Sequence, residues 1–144
     1  MLARLLRGNR PEYYRWRDEK GNFVGWSRML RNGTRAVATG ALRVTLGKRP
    51  HLPWISYDAI NVLDQLLTKE SCVLEFGSGM STLWYAAKAS QVFSVEDDPQ
   101  WFEISKKNFE KLGIQNVTYE FASTPQEYAT YGMKWNKKFD LIMV

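Results

Sequence analysis

Residues 74–82 read "LEFGSGMST": an apolar run that breaks at two glycines, with a glutamate before them and a threonine after. Gly77 and Gly79 carry no Cβ, so the chain can turn tightly here and a ligand can come close to the backbone. Thr82 stands where the dinucleotide-binding pattern G-x-G-x-x-G has its third glycine, which that pattern needs for close helix–strand packing. Glu75 lies two residues before Gly77. In a partly dry site its charge would repel a pyrophosphate by ~1–4 kcal/mol. The corner therefore suits a ligand that carries positive charge and no phosphate.

Working outward, the hydrophobic pattern alternates in period. "SYDAINVLDQLL" (56–67) repeats apolar residues at Ile60, Leu63 and Leu67, which predicts a helix capped by Ser56. "CVLEF" (72–76) and "VFSVE" (92–96) predict buried strands, and "STLWYAAKA" (81–89) between them is helical in composition. Asp98-Pro99 predicts a helix start, running to Leu112 with Gly113 just past its end. Steps of about 100° per residue gather Ile104, Phe109 and Leu112 in one arc of that helix, the arc expected to be buried. "NVTYEFA" (116–122) predicts a third strand, Thr124-Pro125 a further short helix, and "KFDLIMV" (138–144) a fourth strand.

This alternation predicts an α/β chain: a Rossmann-like parallel sheet with helices on both faces, a three-layer α/β/α arrangement. Ligands of such sheets bind beyond the carboxyl ends of the strands. The positions to search are then Gly77–Ser81, Glu96–Asp98 and Ala122–Thr124. Glu96, at the end of the second strand and 17 residues after Gly79, is placed to accept hydrogen bonds from both ribose hydroxyls of an adenosine-type ligand. Glu75 favours a cationic member of that class. S-adenosylmethionine has an ammonium, a sulfonium and no phosphate.

Charge divides the 144-residue chain. Residues 1–50 hold twelve Lys+Arg against three Asp+Glu, and residues 51–144 hold eight against twelve. This predicts a basic, aromatic-rich arm at 1–50, with short helices near Ser27–Leu30 and Ala36–Leu46, ahead of a mildly acidic domain at 51–144. "YYRWRDEKGNFVGWSR" (13–28) interleaves aromatics with arginines, a composition that suits an anionic membrane surface, a glycan-type or small-molecule acceptor, or nucleic acid. Cys72 is the only cysteine, so no internal disulfide forms, and the setting reads as cytoplasmic, peripheral to the membrane if the arm meets one. Cys72 itself reads as a small buried hydrophobe. With His51 the only histidine, a His-pair metal site is excluded, and no metal site is expected. Trp84, Tyr85 and Trp101 read as core, Asp140 as a strand-start residue, and Trp54 and Ser56 as neighbours of the ligand in a minority reading.

"VLEFGSGMSTLWYA", "VFSVEDDPQWFEISKKNFEKLG" and "FDLIMV" resemble the first, second and fourth strand regions of class I S-adenosylmethionine-dependent methyltransferases. The helix "LPWISYDAINVLDQLL" resembles the one leading into that core, so the resemblance spans about residues 50–144. It implies that Glu75, Gly77, Ser78, Gly79 and Ser81 wrap the methionine part, and that Glu96, with Asp97 beside it, holds the ribose. Ser123 would lie near the adenine, although the acid common after strand three in that family is missing here. It also implies a sheet that continues past strand four, so the chain is expected to be a truncated domain that self-associates through its strand-four edge. No residue is assigned as a catalytic base. Two function classes follow: a methyltransferase or its cofactor-binding portion, and a non-catalytic Rossmann-like remnant that binds through its basic arm. An NAD-dependent oxidoreductase is disfavoured by Thr82 and Glu75.

Overall fold

The computed structural model describes residues 51–53 and 55–144 and, before them, residues 25–27, 30, 32–34, 37–38, 41 and 45. The chain divides into two units, Met1–Pro50 and His51–Val144. In the first, the described residues are helical except Gly25, and these include parts of both runs expected to be helical. The "YYRWR" stretch, the amino-terminal leucines and Trp54 lie outside the described residues.

The second unit runs α1 (Tyr57–Leu66), β1 (Cys72–Phe76), α2 (Met80–Lys88), β2 (Gln91–Glu96), α3 (Pro99–Lys111), β3 (Val117–Phe121), α4 (Pro125–Thr130), a 3₁₀ turn (Tyr131–Lys134) and β4 (Leu141–Met143). Local chemistry sets the boundaries. The Ser56 hydroxyl accepts from the Ala59 amide at 3.2 Å, Asp98 from the Trp101 amide at 2.7 Å, and Thr124 from the Glu127 amide at 3.2 Å. Each cap satisfies an amide that has no partner inside its own helix. Proline at the first position of α3 and of α4 supplies no amide to satisfy. The Asn116 side chain donates to the Ala86 and Ala89 carbonyls at 2.9 and 3.1 Å, closing the far end of α2.

All four strands are parallel, in the order β3-β2-β1-β4. Both faces are covered, which is why β1 and β2 read as near-continuous apolar runs. Ile60, Leu67, Val73, Trp84, Tyr85, Ala86, Ala89 and Val92 form one core layer, between α1, α2 and the sheet. Leu74, Phe93, Val95, Ala122 and Tyr131 form the other, where the Trp135 ring lies 4.5 Å from that of Phe93. The expected Rossmann-like layering is therefore present. At the outer strand, Asp140 starts β4 by pairing with β1: its carboxylate accepts from the Cys72 amide at 2.7 Å, and its own amide donates to the Cys72 carbonyl at 2.9 Å.

Two sequence expectations are corrected. Helix α3 buries Ser105 and Phe109, while Ile104 is 58% and Leu112 45% exposed. The buried arc centres on Phe102, Ser105 and Phe109, which places Ile104 roughly 130° away, and Leu112 is the cap residue past the last helical turn. Cys72 is only half-buried, and burial still pushes its thiol up, keeping it protonated.

Candidate functional site

The site begins where β1 ends. Gly77 turns with a φ of 82° and donates its amide to the Val95 carbonyl of β2 at 2.8 Å, an αL-region turn that disfavours a side chain. At Gly79 an added Cβ would meet nothing within 4 Å, so the loop leaves open space beside that residue. From the Gly79 amide a chain of hydrogen bonds runs inward. It donates to the Thr82 hydroxyl at 2.9 Å, and Thr82 donates to the Glu75 carboxylate at 2.6 Å. Ser94 of β2 donates to the same carboxylate oxygen at 3.0 Å, and the Ser81 side chain helps to lower the Glu75 pKa. Thr82, the residue that breaks the dinucleotide pattern, is thus what ties the loop to its acid.

Glu75 is 2% exposed. Burial raises its pKa above the ordinary carboxylate value. The bonds from Ser81, Thr82 and Ser94 pull it back, and the nearby Glu96 charge pushes it further up. Glu96 is 6% exposed and more fully bonded. Its Oε1 accepts from the Asp97 and Asp98 amides, both at 3.1 Å, and its Oε2 from the Ser78 amide at 2.9 Å and hydroxyl at 2.8 Å. The two acids and the glycine loop come together, as expected from the sequence.

Several neighbours were not legible in the sequence. Tyr119 of β3 lies 2.6 Å from the Ser78 hydroxyl, and the Trp101 indole N–H donates to the Ser78 carbonyl at 2.8 Å. Trp101 is therefore half-buried beside the loop rather than a core residue, a correction to its expected place. The Tyr128 phenol sits 3.8 Å from where a Gly77 Cβ would be, and its ring meets that of Phe76 edge-on. Burial pushes Tyr128 up, followed by the charges of Asp97, Glu96 and Glu75. Strand register was the signal that could have found Tyr119. Glu75, Ser94 and Tyr119 are successive partners across β1, β2 and β3 and share one face of the sheet.

The remaining expected residues lie at the margin. Asp97 is exposed. Ser123 is also exposed, and its amide and hydroxyl both donate to Glu127 at 2.8 Å, bonds that hold the Glu127 carboxyl below its ordinary value. An acid from α4 thus reaches the end of β3, where the sequence places none directly after the strand. Ser56 serves as the cap of α1.

The electrostatics are one-sided. The ion pairs among the described residues join Lys88 to Asp64 and Lys134 to Glu120, away from these acids. Glu75 and Glu96 thus face each other's charge with hydroxyls and amides for partners and, among the described residues, no paired cation. No group of three acid, histidine or cysteine side chains among the described residues is arranged to hold a metal ion. Converging acids and hydrogen-bond donors mark this site. No described helix is long and apolar enough to cross a membrane.

No protein-family model and no curated relative matches the sequence. Solved structures do match. An rRNA methylase from Streptococcus thermophilus aligns over 67% of this chain and 54% of its own, with 20% identity and a TM-score of 0.50. A protein from Streptococcus mutans, described as a methyltransferase and solved with SAH, aligns over 67% of this chain and 51% of its own, with 22% identity and a TM-score of 0.51. The chain spans about half the length of these structures. It shares with them the Rossmann-like α/β fold.

Proposed function

We propose that the strand-end site binds S-adenosylmethionine, and that the chain is a methyltransferase or the cofactor-binding portion of one, acting on an acceptor of small-molecule or glycan type. One observation carries the reading: two buried acids, Glu75 and Glu96, flank an open-sided glycine loop and pair with no cation among the described residues. Buried charge without a partner is costly, so a cationic ligand relieves what the fold leaves uncompensated. The open space at Gly79 accommodates the methionine part beside Ser81 and Glu75. Glu96 faces the ribose, with Asp97 and Ser123 at the rim. The likeness to a structure solved with SAH agrees with this reading of the fold.

When bound, the cofactor supplies a methyl group on a sulfonium, transferred by in-line displacement that depends chiefly on alignment. This chain's residues bind and orient it, and none is assigned as a catalytic base. The direct test is calorimetry with S-adenosylhomocysteine on the parent chain and on Glu96→Ala. Losing the carboxylate should weaken binding by ~1.5–3 kcal/mol, about tenfold or more. Unchanged affinity in a variant with the parent's circular-dichroism spectrum would remove Glu96 from the site.

For the arm we propose adhesion to an anionic surface, supported by its excess of basic over acidic residues, twelve against three. Binding to anionic vesicles should weaken steeply between low and physiological salt, and deletion of residues 1–48 should abolish it. Salt-insensitive binding, or binding that survives the deletion, would show that the charge is not responsible. A chain that adheres in this way yet binds no adenosyl ligand would fit the alternative, a non-catalytic remnant acting through its arm.

A further inference from the structure

A carboxylate has about four lone-pair positions, and in Glu96 all of them meet protein donors: the amides of Asp97, Asp98 and Ser78, and the Ser78 hydroxyl. The amides are fixed by the backbone. The hydroxyl turns about a single bond, and it already has a second partner in Tyr119 at 2.6 Å. Ser105, which is 4% exposed, is a buried hydroxyl neighbour of Tyr119 that helps to lower its pKa. The Tyr119 ring is held in place by Phe102, stacked at 4.6 Å, and by Phe109, edge-on at 5.1 Å. The phenol oxygen is therefore a fixed point between two serines.

With the Ser78 hydrogen directed at Glu96, Tyr119 donates to Ser78. The 2.6 Å contact also admits the opposite direction, in which Ser78 donates to Tyr119 and the phenol hydrogen turns toward the neighbouring Ser105. The Ser105 hydrogen then turns to a carbonyl of its own helix, as helical serines commonly do. Reversal keeps the Ser78 hydroxyl bonded and frees one acceptor position on Glu96, without any movement of the backbone.

We infer that Ser78 and Tyr119 are positioning residues of the adenosyl site, forming a reversible hydroxyl relay through which Glu96 yields one acceptor position to one ribose hydroxyl. This rests on the adenosyl reading above. It narrows the sequence expectation that Glu96 serves both hydroxyls, because the Ser78 amide retains its share of Oε2. The two residues act in opposite senses: the Ser78 hydroxyl competes with the ligand for Glu96, and Tyr119 is what allows it to let go.

Calorimetry with S-adenosylhomocysteine on the 144-residue chain tests this. Ser78→Ala should bind about two- to tenfold more tightly than the parent, and Tyr119→Phe weaker by a similar factor. Ser105→Ala, which shortens the relay away from the loop, should shift affinity in the same direction as Tyr119→Phe and replaces it if that variant does not fold. With the 2′,3′-dideoxyribose analogue of the ligand, the gain in Ser78→Ala should vanish, which a merely structural role would not produce. Tighter binding that persists with the dideoxy analogue, weaker or unchanged binding by Ser78→Ala, or indifference to both Tyr119→Phe and Ser105→Ala overturns the relay while leaving the adenosyl site standing. A folded parent chain that binds no S-adenosylhomocysteine overturns both.

Discussion

Gly79→Leu is expected to leave the chain folded and to remove adenosyl binding, with a loss of about a hundredfold or more. Gly79 has an extended φ of 166° that other residues adopt, and a Cβ there meets nothing within 4 Å. Its amide bond to Thr82 involves only the backbone of residue 79 and survives the change. Replacing glycine at this cap position alters stability by only ~0.5–1 kcal/mol. A leucine side chain would, however, occupy the space assigned to the methionine part of the ligand, and overlap there cannot be relieved without moving the loop. Gly77→Ala is the control with the opposite profile. At a φ of 82° a side chain is strained by ~1–2 kcal/mol, so its melting temperature should fall by roughly 5–15 °C. Melting curves and calorimetry on both variants separate the roles: a Gly79→Leu chain that binds normally would show that the ligand lies elsewhere.

Glu75→Gln should be more stable than the parent and bind an adenosyl ligand at least tenfold less tightly. The amide can keep its oxygen toward Thr82 and Ser94 and removes a charge that is buried with no paired cation among the described residues. A gain of ~1–2 kcal/mol is in range for relieving such a charge, which for a unit of this size raises the melting temperature by roughly 5–15 °C. The pH dependence fixes the sign. Because burial raises the folded pKa above the unfolded one, the folded state holds its proton longer. The Glu75 contribution is then most favourable at acid pH and is lost as pH climbs from the ordinary carboxylate value through the raised one. The stability difference between Glu75→Gln and the parent should therefore open over that window and close below it. Glu127, whose carboxyl is held down by Ser123, titrates in the opposite sense but is exposed and screened by solvent. A Glu75→Gln chain less stable than the parent at neutral pH would mean that the hydroxyl network outweighs the buried charge.

Where the fold was legible in sequence, single residues explain why. Ser56, Asp98-Pro99 and Thr124-Pro125 announce helix starts because capping is local chemistry, and the structure uses each as a cap. The four strands followed from short apolar runs between those helices, and Glu75 and Glu96 were visible because acids at strand ends are conspicuous against such runs. What the sequence hid was chosen by the tertiary fold. Tyr119 reaches Ser78 only because β3 pairs with β2 in one register, and Trp101 reaches the Ser78 carbonyl only because α3 starts beside the loop. The face of α3 was misjudged for a related reason. Periodicity located an apolar arc through Ile104, Phe109 and Leu112, but packing against Tyr119 turned a different face, that of Phe102 and Phe109, toward the sheet. The residues that tune Glu96 were thus set by contacts between segments far apart in the chain.

On the proposed function, this strand-end site selects a cationic adenosyl ligand over a phosphate-bearing one. Calorimetric titration of the 144-residue chain with S-adenosylhomocysteine and with NAD, under the same low-salt conditions, tests it most directly. Saturable binding of S-adenosylhomocysteine, with NAD at least tenfold weaker, is the expected result; tighter binding of NAD, or a folded chain that takes up neither, would contradict it.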